Sequence, residues 1–330
     1  MLPTNTICAG HWRAERVASP RAPTFHPRRR ALMRFVSPAR EEVDASVFSR
    51  LPLAGWAEFG HLLRGITWPT VAQVDALRRG LVAGAGTLPR FVEQTHELLG
   101  DGLHYEQRIA DRGEVATRAG NWHDLFNALI WLRHPALKAA LNARQVEEIA
   151  KVGTKARTRA QCALTHFDEA GVVVALNDPA LLALWDAHDW HGLFWRERAA
   201  WCDGRIEVVL FGHALLEHAL LPGQLLVGKA VVVAAEDGAV DRAAAAIRGG
   251  NLLNDPQELR PLPLSGIPGW HADNVRESFY SEAPCFRARR VGRSYPPPLR
   301  GAAGADTSRV SRGNDARERC ETQLAAVGPS

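Results

Sequence analysis

The chain has no C-x-x-C pair, no apolar run of the roughly 18 to 20 residues that a membrane helix needs, and hardly any lysine. Each shortage excludes something. The five cysteines, Cys8, Cys162, Cys202, Cys285 and Cys320, are odd in number and far apart, which argues against a disulfide framework and against a thiolate zinc site, and fits a reducing cytoplasm. The longest apolar candidate, "QLLVGKAVVVAA", is short and broken by Lys229, so no membrane span is expected. Lys138, Lys151, Lys155 and Lys229 are the only lysines, against 36 arginines, a ratio that reads as GC-rich coding rather than as a nucleic-acid surface. G-x-G-x-x-G, G-x-x-x-x-G-K-[ST], G-x-S-x-G and H-E-x-x-H are all missing. Nucleotide binding and the common hydrolase mechanisms therefore have no local support.

What is present is a soluble composition, 46% apolar and 23% charged over 330 residues, with an uneven charge. Residues 1–40 hold eight arginines and one glutamate, net +7; residues 285–330 hold nine arginines against four acids, net +5. With a total of +4, residues 41–284 sum to −8. An acidic body repels phosphate backbones, so nucleic acid is not an expected partner of the core, whereas a small-molecule ligand is compatible with it. The two ends lack any apolar period. Residues 1–39 are read as a basic disordered extension, with Met33 as an alternative start. Residues 40–290 are read as a single domain, and residues 291–330 as a disordered tail. Arg29-Arg30 faintly resembles an export signal, but "SPAREEVD" stands where the apolar segment should follow.

Within the domain, Pro69 followed by Val71, Val74 and Leu77 predicts a helix. "NWHDLFNALIWLRHPALKAALN" predicts two helices, the first ending before Pro135 and the second beginning there and stopped by Gly153. "HYEQRIA" and "EVATR" around "DRG" predict a β-hairpin, and "CALTHFDEAGVVVAL" predicts another around "DEAG". Asp178 and Pro179 open a further helix, and "RIEVVLF", "GHALLEHALL", "GKAVVVAA" and "DRAAAAIRGG" read as strand, helix, strand and helix. The class is α+β: one domain with helices packed on a small mixed sheet of about four or five strands, including two β-hairpins.

Three clusters carry chemistry. On a helical wheel His123, Asn127, Ile130 and His134 share a face beside the apolar stripe of Leu125, Phe126 and Leu129. Asn121 is suited to cap that helix, and Asp124 to orient the imidazole or bind a cation. His213 and Glu217, four residues apart, stack on one helix face next to Leu216 and Leu220, and can supply two metal ligands or an acid–base couple. Asp168 and Glu169 fall at the tip of the second hairpin, where turns favour acidic residues for backbone reasons. Glu106 and Arg108 lie on one side of a strand as an ion pair, and Arg157 and Arg159 form a basic turn. The first hairpin ahead of a histidine-bearing helix loosely resembles the ββα-metal nucleases, in which the key histidine sits on the hairpin; here His104 is at its start and Glu114 follows the turn.

"YEQRI", "TRAGNWHDLFNALIW", "KAALN", "LTHFDEAGVVV" and "FGHALLE", in this order, resemble a bacterial family catalogued as domain of unknown function 3025, over about Trp68 to Arg290. The resemblance implies a single domain and a bacterial cytoplasm; it brings no reaction with it. Two classes of function stay open. One is a metal-assisted or acid–base hydrolase using His123, Asp124 and Asn127 with His213 and Glu217, with a divalent metal as a possible cofactor. The other is a non-catalytic protein in which these groups form a buried hydrogen-bond network. The two helices are expected to face each other, bringing His123 and Asn127 within reach of His213 and Glu217. Whether they meet at an open cavity or in a sealed interior separates the two classes.

Overall fold

The structure, a computed structural model, describes residues 35–81, 88–234 and 237–300. The chain divides into two units, Met1–Val36 and Ser37–Ser330, and the second carries all the elements below. The expectations for residues 1–34 and 301–330 lie outside the described residues.

Short 3-10 turns over Arg40–Glu42, Ala45–Ser49 and Leu53–Phe59 lead into α1 (Gly60–Leu63) and α2 (Val71–Leu81). Val71 and Val74 of α2 turn inward, as their spacing predicts. Then come β1 (Arg90–Glu93), α3 (His96–Leu99), α4 (Tyr105–Arg112) and β2 (Glu114–Thr117). β1 and β2 pair in parallel, Arg90 opposite Glu114. After α5 (Trp122–Arg133) the backbone leaves the helical region at His134 (φ −127, ψ 54), and Pro135 opens α6 (Pro135–Val152), which Gly153 ends at φ 75. The rest runs α7 (Arg159–Ala170), β3 (Gly171–Leu176), α8 (Pro179–Ala187), β4 (Ile206–Leu210), α9 (His213–His218), β5 (Val227–Ala234), α10 (Ala239–Arg248), β6 (Arg260–Pro263), α11 (Phe279–Glu282) and β7 (Leu299–Arg300).

Five of these strands form a mixed sheet. β3 lies between β4, antiparallel, and β5, parallel; β5 also pairs antiparallel with β6 and, at Val233 and Ala234, in parallel with β7. Every residue of β3 is buried, which is why it reads as an unbroken apolar run. α10 packs on α6 and against β3 and β5, while α5 lies against α6 and α9. One apolar cluster joins these layers, with Trp56, Trp122, Phe126, Phe167, Trp185 and Phe211 among its most enclosed side chains.

Neither predicted β-hairpin forms. "YEQRIADR" is the helix α4, capped by His104 and ended by Gly113 in the left-handed region (φ 62), so the glycine read as a turn is a helix stop. "RAQCALTHFDEA" is the helix α7, opened by a capping box in which Thr158 and Gln161 satisfy each other's backbone N–H groups. Asp168 and Glu169 therefore stand in the last turn of a helix, and the loose likeness to the ββα-metal nucleases loses its basis. The packed chain also continues past Arg290. Arg260 Nη2 donates to Pro296 O at 2.6 Å, the Arg260 guanidinium lies 5.2 Å from the Tyr295 ring, and His188 Nε2 meets Tyr295 OH at 3.0 Å. Residues 291–300 thus belong with the core and not with the tail expected for them. Among the described residues Cys162 and Cys285 are free thiols. No helix among the described residues is long and apolar enough to cross a membrane.

Candidate functional site

α5 is buried almost all round; between Trp122 and Leu132 only His123 and Asn127, one turn apart, are partly open. Asn121 Oδ1 accepts from Asp124 N at 3.0 Å and so caps the helix. Trp122 packs against Trp68 and Phe48, with the Arg40 guanidinium over its ring. Those contacts fix the rotation of the helix and turn His123 and Asn127 toward a cavity of about 390 Å³. One face of α6 (Lys138, Leu141, Asn142, Gln145, Ile149) and one face of α7 (Gln161, Leu164, Thr165, Asp168, Glu169) form its long walls, each recurring at helical spacing.

α9 closes one end. Phe211 N and Gly212 N both donate to Gly171 O, at 3.0 and 2.8 Å, which clamps the start of α9 onto the end of α7. His213 and Glu217 then stand on either side of the His123 ring. His123 Nδ1 is 3.0 Å from Glu217 Oε2, and His123 Nε2 is 3.0 Å from His213 Nε2. Glu169 Oε2 approaches both imidazoles, 3.5 Å from His213 Nε2 and 4.0 Å from His123 Nε2. Behind His213, its Nδ1 faces Asp168 Oδ2 at 3.9 Å.

Asp168 anchors the network that runs along the wall. Lys138 Nζ donates to Asp168 Oδ1 at 2.6 Å and to Asn127 Oδ1 at 2.8 Å, and lies 5.4 Å from the Trp131 ring. Asn127 Nδ2 in turn donates to Tyr105 OH at 2.9 Å. Beside Tyr105, Asn142 Nδ2 donates to Glu106 Oε2 at 2.7 Å and to the Glu106 carbonyl at 2.9 Å. Among the described residues nothing bonds the other carboxyl oxygen of Glu106, which is on the cavity wall.

The electrostatics differ from group to group. Burial pushes the Glu106 carboxyl up to about 7, with Asp168 adding to the rise against the Asn142 hydrogen bond. Burial would also raise Asp168, but the Lys138 ammonium, by charge and by hydrogen bond, leads the effects that outweigh it and hold that carboxyl below its usual value. Burial lowers His213 to about 3, keeping it neutral. For His123, burial works downward but is outweighed by Glu217 and Glu169, so its pKa is raised. Glu106 carries a stability consequence. Its folded pKa lies above the unfolded value of 4.5, so its contribution is present below 4.5 and is lost as pH rises toward about 7. The wild type is expected to lose up to about 3 kcal/mol of stability from this group between those limits, and Glu106→Gln to remove that slope. Denaturant melts of both proteins from acid to neutral pH check this; parallel curves would contradict it.

The sequence-expected residues divide accordingly. His123, His213 and Glu217 meet directly, as the facing of the two helices requires. Asn127 is in the same cavity but reaches the histidines only through Lys138 and Asp168. Asp124 does not orient the imidazole: Arg118 takes both its oxygens, Nε at 3.0 Å and Nη2 at 2.7 Å, and Glu217 performs the orienting role instead. His134 stays outside, enclosed near Trp56 and Phe211. Arg108 binds Asp101 and Glu114 rather than Glu106, and Arg159 binds Asp255, while Arg157 lines the far end of the cavity. Lys138 and Asn142 are not singled out by the sequence reading, and Asp168 and Glu169 enter it only as residues of a turn. The Thr158-x-x-Gln161 capping signature was the available clue to α7, and with it to the placement of both acids.

Residues 89–290 match the family described as "Protein of unknown function (DUF3025)", and the chain belongs to that family. No curated protein and no solved structure matches the chain.

Proposed function

We propose that the protein is a hydrolase acting on a small molecule held in the α6–α7 cavity, with water activated at the His123–His213–Glu169 end and a proton supplied by Glu106. The observation that supports this reading is that the titratable groups meet at an open cavity of about 390 Å³, a size suited to a small solute, and not in a sealed seam. Glu217 keeps the His123 ring in place. Lys138 holds Asp168 and is itself held by Asn127, which donates to Tyr105, and the Asp124–Arg118 pair lines the cavity. In the step, water adds hydroxide to the electrophilic centre at the histidine end. The bond to the leaving group breaks, the leaving group takes the Glu106 proton, and the proton released by water restores Glu106.

A carboxyl near 7 populates both forms at neutral pH, as proton transfer in both directions requires. Because the acid form is the donor, the rate should fall as pH rises through about 7. The test compares p-nitrophenyl with phenyl acetate and p-nitrophenyl with phenyl phosphate on the full chain. Glu106→Gln is expected to lose roughly 10²- to 10⁴-fold on the phenyl substrate that turns over, which needs a proton, and much less on its p-nitrophenyl counterpart. It should also lose the limb near pH 7. No turnover of any of the four, or equal losses on both leaving groups, would refute the reading.

A further inference from the structure

We infer that His123 Nε2, His213 Nε2 and Glu169 Oε2 form a binding site for one divalent transition-metal ion, with zinc the best fit. The chemistry of this inference rests on the hydrolytic reading; the binding itself does not. A carboxylate only accepts, so Glu217 requires hydrogen on His123 Nδ1, and the Nε2 of a neutral His123 then presents a lone pair. His213 Nδ1 is buried, has no hydrogen-bond partner among the described residues and has the Asp168 carboxylate 3.9 Å away, a charge that favours hydrogen on that nitrogen. Hydrogen on that Nδ1 turns a second lone pair onto the first, 3.0 Å away. Two lone pairs at that distance repel unless a cation lies between them, and the Glu169 carboxylate is the third group pointed at the same spot.

The three donor atoms lie within 4.8 Å of one another. Separations of 3.0, 3.5 and 4.0 Å define a triangle whose centre is about 2.1 Å from every corner, the ordinary bond length from zinc to imidazole nitrogen or carboxylate oxygen. An ion at that point lies in the plane of the three donors, and side-chain shifts of about half an ångström bring it toward tetrahedral geometry. Behind the donors stand a carboxylate for each histidine, Glu217 and Asp168, the usual outer partners of metal-binding imidazoles. The remaining coordination positions open onto the cavity, the pattern of a catalytic and not a structural zinc site. There the ion would lower the pKa of a bound water to near neutrality.

Full-length protein stripped with a chelator should take up one equivalent of Zn²⁺ by calorimetry, and Co²⁺ should give the visible absorption of a low-coordinate site. His123→Ala and His213→Ala should weaken Zn²⁺ at least about 100-fold. Glu169→Gln should do the same while leaving the metal-free melt unchanged, because that side chain is 42% exposed. Glu217→Gln, which touches no ion, should weaken binding by roughly 10- to 100-fold. Absence of saturable uptake, or an affinity untouched by Glu169→Gln, overturns the site. Zinc uptake without hydrolysis leaves the site standing and removes the hydrolase; undiminished hydrolysis by the chelated protein leaves the hydrolase standing and overturns the ion's part in its chemistry.

Discussion

Gly212→Ala is expected to be among the most damaging single substitutions in the chain, although it adds one methyl group. A Cβ at Gly212 would lie 2.5 Å from Ala170 Cα, Glu169 O and Gly171 N, all backbone atoms that no rotamer change can move. Gly212 is where the start of α9 rests on the end of α7, so the two segments must part. Parting them stretches the Gly212 N to Gly171 O bond, now 2.8 Å, and draws His213 away from Glu169. Overpacking of this kind costs about 3 kcal/mol, or more when backbone must yield. Gly80→Ala is the control. It lies within α2 with nothing inside 4 Å of its Cβ, and should be stabilising by about 0.5 to 1 kcal/mol. Thermal melts decide the comparison; a Gly212→Ala protein that melts with the wild type would mean that the close approach does not hold the site together.

The second large effect is expected from Lys138→Met. Lys138 is 4% exposed and supplies the cation for Asp168, a carboxylate three-quarters enclosed, as well as a donor to Asn127. Removing it strands a charge and an amide oxygen, at a cost of about 2 to 4 kcal/mol, toward the low end of buried-pair values because Asp168 keeps some water. The double variant Lys138→Met with Asp168→Asn should regain at least half of the loss, a coupling that independent sites would not show. The pH dependence has a definite sign. Asp168 has a folded pKa below its unfolded value of 3.8, so the stabilisation from its ion pair is present above 3.8 and fades as the carboxyl protonates in stronger acid. The gap between wild type and Lys138→Met should therefore narrow in acid. A gap that is constant with pH, or additive losses in the double variant, would assign the effect to packing alone.

Much of this architecture was legible in the residue order, and the failures have physical causes. The α5–α6 pair could be read because Pro135 and Gly153 act on their own backbone, and the central strands because full burial leaves an unbroken apolar run. Meeting of His123 with His213 and Glu217 followed from two polar pairs beside two apolar stripes. α4 and α7 were misread because Gly113 and the acidic "DEAG" suit a turn as well as a helix end, and only the wider context chooses between them. Misreading α7 placed Glu169 at a hairpin tip and hid the third donor. Lys138 was missed because it lies among buried leucines, yet a lysine kept in a chain that uses arginine almost everywhere was a usable signal.

The three donor atoms come from positions 123, 169 and 213, on three elements that only the complete fold brings together. An unfolded chain offers them as isolated groups separated by more than forty residues. Whatever binds across them therefore binds the native state almost exclusively, and by mass action its concentration becomes a variable of the folding equilibrium. At a thousand times its dissociation constant such an occupant contributes about 4 kcal/mol, comparable with a large share of a domain's net stability. The melting temperature of this protein is then a property of the solution as much as of the sequence. Preparations that differ only in trace solutes should differ in heat resistance and in susceptibility to proteolysis.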